Sequence, residues 1–167
     1  KRSFVFVFWT GEEEDKIGST WWVAHPLWPL ERTTAYLNLD MIGRRNPASD
    51  GSPTLRILGL PRSLATLDQV RQLTPGHPSA LALDTIDAND SFCRSDQVSL
   101  MKKGVPVVAF TTGTHRDYHQ VTDEADRIDY DILAEVARLV GAVAVDLATR
   151  ADISPSMARS APPSRSC

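Results

Sequence analysis

Ser3-Phe4-Val5-Phe6-Val7-Phe8-Trp9 runs without a break into Thr10-Gly11-Glu12-Glu13-Glu14. An apolar run rich in β-branched and aromatic residues reads as a buried strand. Thr10-Gly11 ends it, and three carboxylates follow at once. The fold turns on this arrangement, because two later stretches repeat it.

Thr34 to Met41 (TAYLNLDM) reads as a second strand and delivers Asp40 at its end. Val105 to Thr111 (VPVVAFT) reads as a third and leads to Tyr118 and His119. Between these stretches lie helical patterns. Lys16 to His25 fits a short helix stopped by Pro26, with Trp21 and Trp22 packing it on the sheet. Arg62 to Leu73 carries apolar residues at helical spacing. Ser95 to Lys103 reads as a short helix capped by Ser95 and ended by Gly104. Tyr130 to Thr149 is the clearest helix, with Ile132, Leu133, Val136, Leu139, Val140, Val143 and Leu147 on one stripe and Asp129 as cap. Thr54 to Leu60 and Leu81 to Leu83 complete the strand candidates; Arg44 to Pro53 is loop chemistry. Strands alternating with helices predict an α/β fold, a layered α/β/α arrangement with a mostly parallel or mixed central sheet.

The chain has 167 residues, enough for one core. Its net charge of -3 gives no global bias toward nucleic acid or anionic membrane. No apolar run approaches the ~20 residues of a membrane span. Two cysteines, Cys93 and Cys167, are too few for a disulfide framework, and no bridge between them is expected. The chain starts with Lys1 and enters an apolar strand within three residues, as a fragment or processed chain would. Residues 1–150 read as one domain part. Residues 151–167, rich in Ser, Pro and Ala, read as a flexible tail.

In open α/β sheets, sites form beyond the carboxyl ends of the strands. Parallel neighbours would bring Glu12 to Glu14, Asp40 and His119 to one edge. Carboxylates with an imidazole suit Zn²⁺ and similar divalent ions. Each group taken alone has a plainer reading. An acidic triplet suits a solvated turn or helix start, a strand-end Asp a cap, and a loop His an exposed position. His25 and His77 have only that plainer reading. Conjunction at three strand ends favours a metal site.

Four segments resemble the M28 family of zinc peptidases. Thr10-Gly11-Glu12-Glu13-Glu14-Asp15-Lys16-Ile17-Gly18-Ser19 is similar to its G-E-E-x-G-L-x-G-S segment. Asn38-Leu39-Asp40-Met41-Ile42-Gly43 is similar to N-x-D-M-I-G, and Arg94-Ser95-Asp96 to R-S-D, ahead of Gly104-Val105-Pro106. Thr112 to His119, followed by Thr122-Asp123, is similar to T-G-x-H-x-D-Y-H-x-x-x-D. The matches fall in order between residues 3 and 149.

The resemblance implies a zinc-exopeptidase-like fold, incomplete at its N-terminus, and two zinc ions joined by a bridging Asp. It implies Glu13, Asp40 and His119 as three of five protein ligands. Glu13 and His119 would share one ion and Asp40 would hold the other. It implies Glu12 as general base, Tyr118 as the group that stabilises the tetrahedral intermediate, and Arg94 as a substrate contact. The remaining His and bridging Asp would lie upstream, so this chain alone would be weakly active or inactive. Asp96 and Asp123 would orient ligands or serve as plain caps and ion-pair partners; His115 lies in the same family-like loop as a candidate substrate contact.

A peptide substrate, an aminopeptidase reaction and a secreted or periplasmic location are what the resemblance suggests. Carboxypeptidase and glutaminyl-cyclase relatives, and a non-catalytic interaction module, are the alternatives. Asp15 and Lys16 replace a common Gly and an apolar residue, and Gln97 stands where His often follows R-S-D. Nothing in the sequence indicates the oligomeric state.

Overall fold

The computed structural model describes residues 1–46, 54–59, 82–87 and 93–151. In chain order the main elements are α1 (Ile17–Ala24), β1 (Tyr36–Leu39), β2 (Thr54–Gly59), β3 (Ala82–Asp87), α2 (Gln97–Lys102), β4 (Val107–Thr111) and α3 (Tyr130–Thr149). The four strands form one sheet in the order β1-β4-β2-β3. β1 pairs parallel with β4 and β2 parallel with β3, while β2 and β4 run antiparallel. The sheet is therefore mixed, within the fold class expected.

Side chains alternate along β4 and so divide the core in two. Val108 and Phe110 join Leu55 and Ile57 against Ile132, Val136, Leu139, Val140, Val143 and Leu147 of α3. Val107 and Ala109 join Leu58 against Val23 of α1 and Val98, Leu100 and Met101 of α2. Helices cover both faces, which gives the three layers. The α3 stripe is as the 3.6-residue period predicts except at Leu133, which is only partly buried, and Asp129 caps the helix by accepting from the Ile132 amide at 3.1 Å.

Residues Ser3 to Trp9 depart from expectation. Residues 3–9 form no strand: none of the described residues pairs with them, and Phe6 and Phe8 are 85% and 96% exposed. Strand status needs a ladder partner as well as an apolar sequence. The segment is anchored at its ends instead. The Arg2 amide donates to the Ala148 carbonyl, and its guanidinium donates to the carbonyls of Leu147 and Arg150, at the end of α3. Trp9 packs into the second core beside Trp22.

Smaller corrections follow from packing. Trp22 is half-buried and stacks edge-on with Trp28, whereas Trp21 is exposed and stacks on His25. Asp96, not Ser95, occupies the cap position of α2, and its side chain makes no cap bond. β3 reaches Asp87, well past the expected Leu83, because it follows β2 residue for residue. Cys93 is disulfide-bonded, against expectation. The helix expected over Arg62 to Leu73, His77 and the tail from 152 lie outside the described residues.

Candidate metal and catalytic site

The acidic loop is shaped by its own backbone. Gly11, Asp15 and Lys16 all have left-handed φ values, 62°, 58° and 59°. The amides of Lys16, Ile17 and Gly18 each donate at 2.9 Å to the carbonyls of Glu12, Gly11 and Thr10 in turn. These bonds satisfy the first donors of α1 without a side-chain cap. Gly18 is required by this closure, since a Cβ there would sit 2.6 Å from the Thr10 carbonyl oxygen. The Gly-Ser pair after the glutamates thus fixes the loop that carries Glu12 and Glu13.

Asp40 follows β1 directly, its amide donating to the Phe110 carbonyl of β4. The chain then turns through Met41 at φ 55°. The Met41 carbonyl accepts from both the amide and hydroxyl of Thr112, at 2.9 and 2.7 Å. The loops after β1 and β4 are therefore bonded to each other.

The third arm comes from the loop after β4. His119 has φ 57°, and its Nε2 lies 2.8 Å from Glu13 Oε1. Tyr118 stacks on the His119 ring with centroids 3.8 Å apart. Two residues 106 positions apart in sequence thus meet through their metal-competent atoms. Two ligand atoms on a tetrahedral zinc at ~2.0–2.2 Å stand roughly 3.3 Å apart. The Glu13–His119 pair would open by about half an ångström to admit one. Its donor chemistry, carboxylate with imidazole, fits that ion. Among the described residues no group of three or more His, Cys, Asp or Glu is close enough to hold a metal by itself.

Glu12 lies beside a second acidic centre. Partial burial lifts its carboxyl above the ordinary range, and the negative fields of Asp40, Glu13 and Asp96 add to this, with Lys16 opposing. Asp96 is buried and raised likewise, chiefly by burial; a hydrogen bond from Ser19 and the Lys16 charge oppose it, and Asp40 adds to it. One Asp96 carboxylate oxygen, Oδ1, has no hydrogen-bond partner among the described residues. Arg94 is exposed, and no contact joins it to the other candidates among the described residues. The structure thus brings Glu13, His119 and Tyr118 together, sets Glu12 in the field of Asp40, and leaves Arg94 apart.

Below the site lies a buried polar network. Trp9 Nε1 donates to the Tyr36 hydroxyl at 2.8 Å, and that hydroxyl donates to Asn38 Oδ1. Asn38 Nδ2 donates to Gln97 Oε1 at 2.7 Å. Gln97, standing where a His is common, therefore holds β1, the strand that leads to Asp40. Asn38 was readable only as part of a motif; its role as the hub of the network was not.

A model of the family described as peptidase family M28 matches residues 1–144. The chain belongs to peptidase family M28. Solved structures agree on the fold. The LapA aminopeptidase of Legionella pneumophila is similar with a TM-score of 0.69 and 22% identity, over 88% of this chain and 39% of that one. BSAP, a zinc aminopeptidase from Bacillus subtilis, is similar with a TM-score of 0.67 and 22% identity, over 89% of this chain and 36% of that one. Nicastrin, a gamma-secretase component, shares the fold at a TM-score of 0.64 and 15% identity, over 90% and 33%. The M28 chain thus spans about two-fifths or less of these structures' length. No curated protein matches it.

Proposed function

We propose that this chain carries the later part of a two-zinc aminopeptidase site. The observation that carries the reading is the meeting of Glu13 with His119 at 2.8 Å, beside Glu12 and Asp40, at the carboxyl ends of the parallel pair β1 and β4. Glu13 and His119 would hold one zinc and Asp40 the other. A His and a bridging Asp from outside this chain would complete the set, so the 167 residues alone bind zinc weakly and turn over poorly.

Zinc bound there supplies Lewis acidity and acidifies a bound water. The remaining work falls to this chain's residues. Glu12, outside the metal shell, takes the proton of the attacking water on its carboxylate and delivers it to the leaving amine nitrogen. The Tyr118 hydroxyl donates to the oxyanion that develops on the scissile carbonyl. Stacking on His119 holds the Tyr118 ring over the loop. Arg94 contacts substrate from the turn before α2.

The disulfide at Cys93 supports a place outside the reducing cytosol, as in secreted or periplasmic proteins. Glu12→Gln in the full-length enzyme tests the central assignment. Turnover of an aminoacyl-nitroanilide falls by about 10²–10⁴-fold, with zinc content unchanged. Full activity in that variant would remove Glu12 from the role of base.

A further inference from the structure

Arg44 stands four residues after Asp40, in the same loop, and its side chain is only 16% exposed. Its guanidinium is a fork. Nη2 pairs with Asp117 Oδ2, and Nη1 with Asp123 Oδ1 at 2.6 Å. Asp117 and Asp123 bracket Tyr118 and His119. One cation thus grips both ends of the segment that presents the imidazole, from the loop that presents Asp40.

The rest of the surroundings reinforces this grip. The Thr122 hydroxyl donates to Asp117 Oδ1 at 2.8 Å, closing the segment on itself. The His115 side chain is buried, its Nε2 lies 3.7 Å from Asp123 Oδ2, and its ring meets Tyr118 edge-on. On the far side of the loop, Arg45 Nε donates to Asp129 Oδ2 at 2.7 Å, and the Asp129 amide donates to the Gly43 carbonyl. His119 itself is a non-glycine residue at φ 57°. That conformation is strained for a residue with a Cβ and persists only where neighbours impose it.

We propose that Arg44 is a positioning residue, a two-carboxylate clamp that sets the separation between Asp40 and His119 and so between the two metal positions. The inference rests on the two-zinc reading above. It does not need Arg44 to touch substrate or metal. Lysine keeps the charge but cannot span two carboxylates as a planar fork. Charge and geometry are therefore separable by substitution.

The test uses the full-length zinc enzyme, with Arg44→Lys, Arg44→Met and Asp123→Asn, which opens one arm only, and exposed Arg138→Met as control. Three readouts are taken: kcat and KM on an aminoacyl-nitroanilide, zinc retained against a chelator series, and the visible spectrum of the Co²⁺-substituted protein. Arg44→Lys and Asp123→Asn lower kcat about 10-fold or more with KM within about threefold, weaken one zinc by ~10–100-fold and change the Co²⁺ bands. Arg44→Met goes further in the same direction, and Arg138→Met matches wild type.

A wild-type kcat, chelator profile and Co²⁺ spectrum in Arg44→Lys and Asp123→Asn would overturn the clamp. So would a loss of thermal stability in both with all three readouts unmoved. If wild type itself binds no zinc and cleaves no aminoacyl substrate, the two-zinc reading has failed. If wild type does both and the variants equal it, only the clamp has failed.

Discussion

Gly18→Ala adds one methyl group at the point where the acidic loop closes. The new Cβ would stand 2.6 Å from the Thr10 carbonyl oxygen and 2.9 Å from the Thr10 nitrogen. Both contacts are backbone, so no side-chain rotation relieves them. Restoring an ordinary separation of roughly 3.3 Å needs a shift of about 0.7 Å. A shift of that size stretches the Gly18 amide bond to Thr10, now 2.9 Å, beyond hydrogen-bond range. Overpacking costs about 1–3 kcal/mol, against which Ala returns roughly 0.5–1 kcal/mol of helix preference over Gly. The net expectation is a loss of up to about 2.5 kcal/mol. The functional effect is larger than the stability effect. Glu12 and Glu13 sit between the two closing residues, and a catalytic group misplaced by ~1 Å costs on the order of 10²-fold in rate. Urea unfolding followed by tryptophan fluorescence measures the first, and kcat/KM of the full-length enzyme measures the second, with a fall of about 10–100-fold expected. Gly141→Ala is the matched control. It lies in α3 with nothing within 4 Å of its Cβ position, and it gains roughly 0.5–1 kcal/mol. Gly18→Ala with wild-type stability and wild-type kcat/KM would refute the claim that backbone closure sets the glutamates.

Asn38→Leu removes the acceptor of the Tyr36 hydroxyl and the donor to Gln97 Oε1; it lowers stability by about 2–4 kcal/mol, seen in the urea midpoint. Asp129 is held below the ordinary carboxylate range, first by the Arg45 bond and then by the Ile132 amide. Its contribution is present above the unfolded Asp value of ~3.9 and is lost as pH falls through the lower folded value. Asp129→Asn keeps the cap but gives up the charge attraction to Arg45, so it loses less than about 1 kcal/mol at neutral pH and shows a shallower loss of stability as pH falls below the unfolded Asp value. Val136→Ala opens a cavity against the sheet from a fully buried position and costs about 2–3 kcal/mol by chemical denaturation.

What the sequence made legible was whatever depends on local pattern. The α3 stripe repeats at 3.6 residues and carries its own cap at Asp129, so its bounds could be read directly. β4 is apolar on both faces because helices lie on both. The segment Ser3 to Trp9 looked the same and failed, because burial belongs to a pair of surfaces and no described strand supplies the second. β3 was hard to see for the opposite reason: its length is set by β2, across parallel pairing. At the site, ordered motifs singled out Glu12, Glu13, Asp40 and His119, but not that Glu13 and His119 touch. Arg44 left no signal, since a loop arginine is ordinarily a solvated charge. Only the meeting of the loops after β1 and β4 gives it two carboxylates.

Zinc counted per protein molecule, in the full-length enzyme and in His119→Ala, addresses the two-zinc site most directly. Two ions in wild type and one in His119→Ala, with Asp40→Asn losing the other, is the predicted result. No zinc in wild type, or two ions retained in His119→Ala, would contradict it.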